Sequence, residues 1–569
     1  MHICFMRFLI TGILSVLFTK ILWAQGAYVP LGSYGMHFID RMEIKSGTLA
    51  DPKQFNTTAK AYQRSRIAEY ADAYDTSNLS KQDRFNLEYL KNDNFEFYNS
   101  EGSKSQKKFR NTGLYKYKAA AYAVLIPDFE LIVNPVVYLR GEYDTKRNDR
   151  LPYFVNRGIN IRGRVGKNFS FFTETAEEIQ SLNGWNLEYY NQYNVLAGQN
   201  FINTNTFKPN DKYLFSYWNA SGYVAYQAGK YVDFQFGHGK NFLGNGYRSL
   251  MRSDFSTNNL FMRVNTRIWK INYTNIYGYL YDYTPFVNRS SIIKRHYYAT
   301  THASINLTKK LNVGLFETTI FQRDSGHESR GYDLQYLNPV MFYNAVDNTL
   351  NSPDKNLLGF DFKYNFAKKY QLYGQFVLSE MNINKRITTK GWWGNKEAYQ
   401  VGLKCIDLFK VSNLDLQLEY NQARPYSYTS FNPKNAYVNY NQSMAHPLGA
   451  NFREVLAIVR YQPTEKLFIN ALFSFSHYGN DTNGSNWGKN ISLSYDSRIR
   501  EFGNYIGQGV KTNLLIISPT FSYMLKHNLF AELQISYRNQ TSELDLFKSE
   551  MFNVGLGLRW NMNTRECNF

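Results

Sequence analysis

The chain has 569 residues, a net charge of +19, 47 tyrosines, 42 phenylalanines and only 14 prolines. A mean hydropathy of −0.48 excludes a bundle of membrane helices, and past the N-terminus no stretch approaches the ~20 apolar residues a spanning helix needs. Aromatic-rich but moderately polar is the composition of alternating strands with one face toward lipid and the other toward water.

The first residues read as a secretory signal. Arg7 precedes an apolar run from Phe8 to Phe18, and small residues follow at Ala24, Gly26 and Ala27, so residues 1–24 are expected to be cleaved, leaving Gln25 first. Lys20 breaks the run too early for a membrane anchor. Cys4 would leave with this segment, so a disulfide framework is absent; Cys405 and Cys567 remain, and a single bond between them stays open in an oxidising compartment.

Residues 25–112 differ from the rest. Ala59, Ile67, Tyr70, Ala71 and Tyr74 are close to helical spacing, and a second helix is predicted from Ser80, with Asp83 completing a capping-box variant and Leu79 as a staple. Two short helices ahead of a barrel predict a lumen plug or a periplasmic cap.

From 113 to 569 the pattern is all-β. Lysine-bearing short turns recur at Lys167, Lys230, Lys270, Lys309–Lys310, Lys368–Lys369, Lys410, Lys466 and Lys526, between alternating aromatic runs such as "FDFKYNFAKKYQLYGQF". Longer polar connections lie near 179–212, 243–255, 324–355, 428–450 and 481–509. Bacterial barrels have short periplasmic turns and long external loops, which predicts periplasmic lysines. Counting back from the last strand gives a transmembrane antiparallel barrel of about eighteen strands beginning near Asp128, with 113–125 left to the plug or to a twenty-strand count. In the final "MFNVGLGLRWNM", Phe552, Val554, Leu556, Leu558, Trp560 and Met562 fall on one face and Asn553, Gly555, Gly557, Arg559 and Asn561 on the other. That alternation needs a wet lumen.

"GKNFLGNGYRSLMRSDFS" (239–256) has the glycines of a phosphate cradle, but it lacks the P-loop's leading glycine, and Asn241 follows Lys240 where Ser or Thr belongs. The residues after it are strand-like, so a dinucleotide site is excluded as well. Placed in an external loop at a strand end, this stretch resembles the Wzi-type outer-membrane family, which includes the gliding-motility RemB proteins. "YVPLGSYGMHFIDRMEIKSG", "YLNPVMFYNAVD", "RPYSYTS" and "QSMAHPLGANFRE" carry the same likeness, more toward RemB. The resemblance implies an eighteen-stranded barrel with an N-terminal helical element at the cell surface. It further implies a non-enzymatic role in gliding motility or in attachment of capsular or exopolysaccharide; the alternative is a plugged porin-like channel for small solutes.

Gly237, Gly239, Gly244 and Gly246 are expected to permit tight turns and close backbone approach at the rim. A glycan site is expected from Lys240, Asn241, Arg248, Arg252, Trp392, Arg424, Tyr426, Tyr428, His446 and Arg453, with Trp393 and Asp254 nearby. Aromatic rings stack on sugar faces and arginine grips a carboxylate in a fork. A second reading has Arg248 paired with Asp254 to lock the loop. The expected partners are outer-membrane lipid and lipopolysaccharide, acidic surface polysaccharide and other cell-surface motility proteins, with no nucleic acid. The nine histidines are scattered singly and no His or Cys pair has ligand spacing, so no cofactor, metal or catalytic group is expected, and His238 reads as rim structure.

Overall fold

The computed structural model describes residues 26–50, 56–60, 62–98, 103–105, 113–199, 203–204, 214–283, 294–322, 331–343, 354–482 and 484–564. The segment expected to be a signal and Cys567 therefore lie outside the described residues, as does much of the 324–355 connection; Cys405 is buried.

Eighteen antiparallel strands close into a barrel. They are β1 Phe129–Asp144, β2 Tyr153–Val165, β3 Phe169–Ser181, β4 Leu214–Ala228, β5 Val232–Gly239, β6 Asn259–Ile268, β7 Ile271–Tyr281, β8 Arg295–Asn306 and β9 Leu311–Phe321. The second half comprises β10 Lys355–Phe366, β11 Tyr370–Glu380, β12 Lys396–Cys405, β13 Leu414–Ala423, β14 Phe452–Tyr461, β15 Leu467–Asn480, β16 Val510–Lys526, β17 Leu529–Ser542 and β18 Ser549–Trp560. β18 closes on β1 from Asn553 opposite Asp144 to Trp560 opposite Val137. Below that point Tyr122–Ile126 pairs with β1 as a hairpin, so the surplus segment extends the seam without adding a spanning strand. The lysines fall in or beside the short connections, where residues such as Lys368 (φ 51°) and Asn528 (φ 56°) take the left-handed conformation of tight hairpins.

Period-two alternation sets the facing. Phe552 and Leu556 are exposed on the outer wall, whereas Asn553 is buried in the lumen on Glu142 (Nδ2 to Oε2 2.7 Å) and Arg559 on Glu532 (2.8 Å).

Three helices fill the lumen at the short-turn end: α1 Tyr34–Ser46, α2 Arg64–Asp72 and α3 Lys81–Asp93. Ser80 caps α3 by accepting from the Asp83 amide at 2.9 Å, as its sequence predicts. α1 is the addition. Ser33 caps its start, Gly47 (φ 73°) ends it, and Phe38, Ile39 and Met42 pack with Leu87 and Leu90 of α3 against Phe468, Met524 and Phe530 of the wall. Charges pin the plug. Arg41 meets Asp83 (2.7 Å), Asp407 (2.5 Å) and Asp415, Lys363 meets Glu43 (3.0 Å), and Lys404 meets Asp40 (2.7 Å).

Candidate functional site

The 240–258 connection does not rise from the rim as an external loop. It turns inward and crosses the lumen, and residues 241–246 and 248–253 are buried. Its Phe242–Leu243 pairs with Ala59–Lys60 of the plug, and Gly244 N donates to Thr58 O at 2.9 Å, so loop and plug meet inside the barrel. The far wall receives its backbone. Tyr247 N and Arg248 N donate to the Glu419 carboxylate (2.8 and 3.1 Å), Leu250 N donates to Gln375 Oε1 (2.8 Å), and Gln400 Nε2 donates to Arg248 O (3.0 Å).

This explains two glycines and corrects their expected place at the rim. Gly244 has φ +135°, and a Cβ there would lie 2.2 Å from Gln375 Nε2; at Gly246 it would lie 2.6 Å from Glu419 Oε2. Both mark close approach of the loop backbone to the wall, deep in the lumen. Gly237 allows β5 to approach β4 at Gly222 and Tyr223, and Gly239 ends β5.

The ten expected glycan residues separate. Arg248 is buried and pairs with Glu454 (Nη2 to Oε1 3.3 Å), which corrects the expected Asp254 partner. Arg252, 1% exposed, lies over the Tyr298 ring at 4.4 Å and donates to the Tyr298 hydroxyl (3.1 Å). Asn241 is buried too. Tyr426 and Tyr428, at 0% and 1% exposure, offer no open ring face. Their hydroxyls donate to Asn486 O (2.8 Å) and Leu250 O (2.9 Å), fastening one loop to another. His446 is buried against Glu454 at 2.6 Å, and burial pushes its imidazole below the ordinary value although Glu454 acts the other way. Trp392 and Trp393 pack beside Tyr426. Arg424 donates to Asn395 O at 2.8 Å. Arg453 alternates with the inward Glu454, so it faces outward at the long-loop end of β14, opposite Gln422 and His477. Lys240 borders open space, a cavity of about 270 Å³ that it shares with His238, Asp254, Asn258 and the buried Arg248. Its Nζ donates to Asp254 O at 3.0 Å.

A larger cavity, about 1220 Å³, opens at the long-loop end. One wall is helix α4, Gly184–Tyr193, which contributes Trp185, Tyr189 and Tyr193; Asn183 caps it by accepting from Asn186 N at 3.2 Å. The opposite wall comes from the 481–509 connection and the upper ends of β15 and β17, with Lys489, Asn490, Arg538 and Gln540. The Arg538 guanidinium lies 5.8 Å from the Trp185 ring centre. Lys489 Nζ donates to Leu448 O (2.6 Å) and sits 4.5 Å from the Tyr478 ring centre; burial lowers its pKa to about 8, with Asp481 opposing. Aromatic faces, carboxamides, the cations of Lys489, Arg538 and Lys548 and the carboxylates of Glu188 and Asp481 thus line one concave surface. The sequence signal was available in "GWNLEYYNQYN", where aromatic density in a polar connection is set behind an Asn cap. Among the described residues, no three His, Cys, Asp or Glu side chains gather as a metal site.

No family model and no curated protein sequence matches the chain. Among solved structures, the chain is similar to Wzi, described as an outer membrane protein involved in group 1 capsule assembly in Escherichia coli and a carbohydrate-binding β-barrel. Identity is 11%, the match covers 94% of this chain and 100% of that one, and the TM-score is 0.55. It is also similar to OprD of Pseudomonas aeruginosa, at 10% identity over 75% of this chain and 94% of that one, with a TM-score of 0.40. Acinetobacter baumannii OccAB2 gives 9% identity, 75% and 98% coverage and a TM-score of 0.41. The likeness to Wzi is one of fold.

Proposed function

We propose that the chain is a non-enzymatic outer-membrane barrel of the cell surface that holds capsular or exopolysaccharide in the cavity beside α4, in capsule attachment or gliding motility. In this reading the short-turn end is periplasmic and the long-loop end external. The observation that carries it is a contrast: the lumen is crossed by a buried loop and filled by helices, whereas the long-loop end opens into about 1220 Å³ of aromatic- and amide-lined space. Trp185 and Tyr189 would stack on the apolar faces of sugar rings, Asn490 and Gln540 would exchange hydrogen bonds with hydroxyls, and Arg538 would grip the carboxylate of a sugar acid. Wzi's description as carbohydrate-binding supports the same reading. The test is binding of the purified barrel to polysaccharide from its own cell at low salt. Trp185→Ala with Tyr189→Ala should abolish it, and an unmodified barrel that binds nothing removes the reading.

A second reading, a plugged channel for small solutes, has its own support. Cavities of about 270, 160 and 50 Å³ border one another between the plug and the wall, and Met562 and Asn563 line all three. Asn561 (φ 53°) turns this tail inward after β18, and Thr564 Oγ1 donates to Gly32 O of the N-terminal segment at 2.7 Å. If the tail is the stopper, Met562→Gly with Asn563→Gly should raise conductance across a planar bilayer. Unchanged conductance from an intact barrel rejects it.

A further inference from the structure

Part of the outer wall, on β7–β9, is polar yet covered. On β7, β8 and β9 the even-numbered side chains point into the lumen, as Ile276, Tyr298 and Phe316 do in its core, so the odd-numbered ones point out. Outward positions on the wall are commonly apolar and open, as at Leu315 (44% exposed), Phe360 (41%) and Val401 (49%). Asn275, Thr301, Glu317 and Thr319 also point outward, yet all four are buried. Asn275 Nδ2 donates to Thr301 Oγ1 (3.0 Å), and Thr319 Oγ1 donates to Asn356 Oδ1 of β10 (2.6 Å).

The segment 331–343 covers them, folding down the outside of the barrel from the long-loop end. Tyr332 donates to Tyr298 O near the top of β8 (3.4 Å), and Tyr336 stacks on Phe321, the last residue of β9, with ring centres 4.0 Å apart. Lower down, the wall tyrosines donate to the segment, Tyr277 to Leu337 O (3.2 Å) and Tyr273 to Pro339 O. Phe342 N donates to Glu317 Oε2 at 2.5 Å. Glu317 is the seventh residue of the eleven in β9. At ~3.3 Å per residue and a strand tilt of ~40°, it stands roughly 15 Å above the short turns, near the middle of an apolar band ~25 Å tall.

Irregular backbone at that depth survives only if its polar groups are satisfied without water. Here several of them are turned inward or onto one another. Val340 N donates to Asn338 Oδ1 (3.0 Å), Gln335 N to Asp333 Oδ1 (3.3 Å), Tyr336 N to Asp333 O (3.1 Å) and Asn338 N to Gln335 O (3.2 Å). Pro339 has no amide to satisfy. The side chains facing away are mostly apolar and exposed: Leu334, Leu337, Val340, Phe342 and Tyr343.

We propose that residues 332–343 form an intramembrane strap, lying against lipid acyl chains and replacing the wall of β7–β9 as the lipid-facing surface. Glu317 is its positioning residue, a carboxylate that would face lipid if the strap were absent. The proposal rests on the outer-membrane reading. Its test is spin-label accessibility in phosphatidylcholine proteoliposomes, with Cys405 and Cys567 replaced by serine and one label site at a time: Val340→Cys on the strap, Leu315→Cys on the bare wall, and Lys434→Cys on an exposed loop. The ratio of oxygen to water-soluble nickel-chelate accessibility at 340 should match that at 315 and exceed that at 434. Adding Glu317→Ala should increase label mobility at 340 and leave 315 unmoved. Nickel access at 340 with oxygen access at 315 overturns the strap alone, as does exclusion of both probes at 340, which would mean that protein covers it. Nickel access at 315 overturns the membrane reading together with the strap.

Discussion

The guanidinium of Arg248, on the loop that crosses the lumen, meets Glu454 of the far wall (Nη2 to Oε1 3.3 Å), and neither side chain is more than 6% exposed. This pair joins the 240–258 loop to strand β14, and His446 holds the other oxygen of the same carboxylate at 2.6 Å. Removing one member of a buried pair leaves the other charge uncompensated, which costs roughly 3–5 kcal/mol. Arg248→Ala should therefore lower the temperature at which the folded band disappears on heat-modifiability gels and open 240–258 to protease. Polysaccharide bound per folded molecule should stay the same. A drop in binding at unchanged stability would return Arg248 to the glycan site.

The last strand gives a paired test of facing. Leu556 is 66% exposed on the outer wall, and Leu556→Arg should impair assembly, at roughly 2–4 kcal/mol for a cation near the bilayer midplane. Asn553→Arg points a cation into the lumen beside Glu142, which already accepts from Asn553, and should be tolerated. Yield of heat-modifiable barrel from cells measures both. Equal losses would mean that one face of β18 has been assigned to the wrong side.

Strand number and facing were legible because both depend on near neighbours: two-residue alternation and lysine-bearing hairpins repeat along the chain. The path of 240–258 was not. Gly, Asn, Ser and Arg are equally the composition of a solvated loop and of one crossing a polar lumen, and the groups that choose, Gln375, Glu419 and Glu454, lie 125 to 206 residues away. Helix α1 was hidden for a related reason. Its buried face carries Arg41 and Glu43 among the apolar residues, a broken pattern until Asp415 and Lys363 of the wall are seen to satisfy them. Arg453 was misplaced by being assigned to a loop, since one residue of parity separates it from the inward Glu454.

Arg41 is the centre of the plug's attachment, with Asp83 of α3, Asp407 of a short turn and Asp415 of β13 all on its guanidinium. Arg41→Ala leaves three carboxylates facing one another, with Lys45 the nearest remaining cation on α1, at 2.5 Å from Asp83 and 3.3 Å from Asp407. The plug should detach at one end, at a cost of roughly 3–5 kcal/mol. Limited proteolysis of the purified barrel should then cut within 62–98 while the strands remain intact, and Arg41→Lys should restore part of the protection. Unchanged cleavage would mean that the apolar contacts with Phe468 and Phe530 hold the plug unaided.

The cavity beside α4 makes a pH prediction whose two readouts move in opposite directions. Burial lowers the Lys489 ammonium to about 8 from its ordinary 10.5, and burial also holds Asp481, the carboxylate facing it, above its usual range. Below pH 8 the lysine is charged in both the folded and unfolded chain, so the fold carries the cost of a buried cation. Between about 8 and 10.5 the folded lysine releases its proton before the unfolded one, and that cost is relieved. Stability should thus rise through this window. Binding of an acidic polysaccharide should fall over the same range, because the cavity loses the positive charge of Lys489. Both effects should vanish in Lys489→Met, and the binding step should shrink with salt as the Debye length drops from ~10 Å at 0.1 M to ~3 Å at 1 M. Binding that stays level from pH 7 to 10 at low salt would place the acidic groups of the glycan away from Lys489 and leave Arg538 over Trp185 as the contact to test.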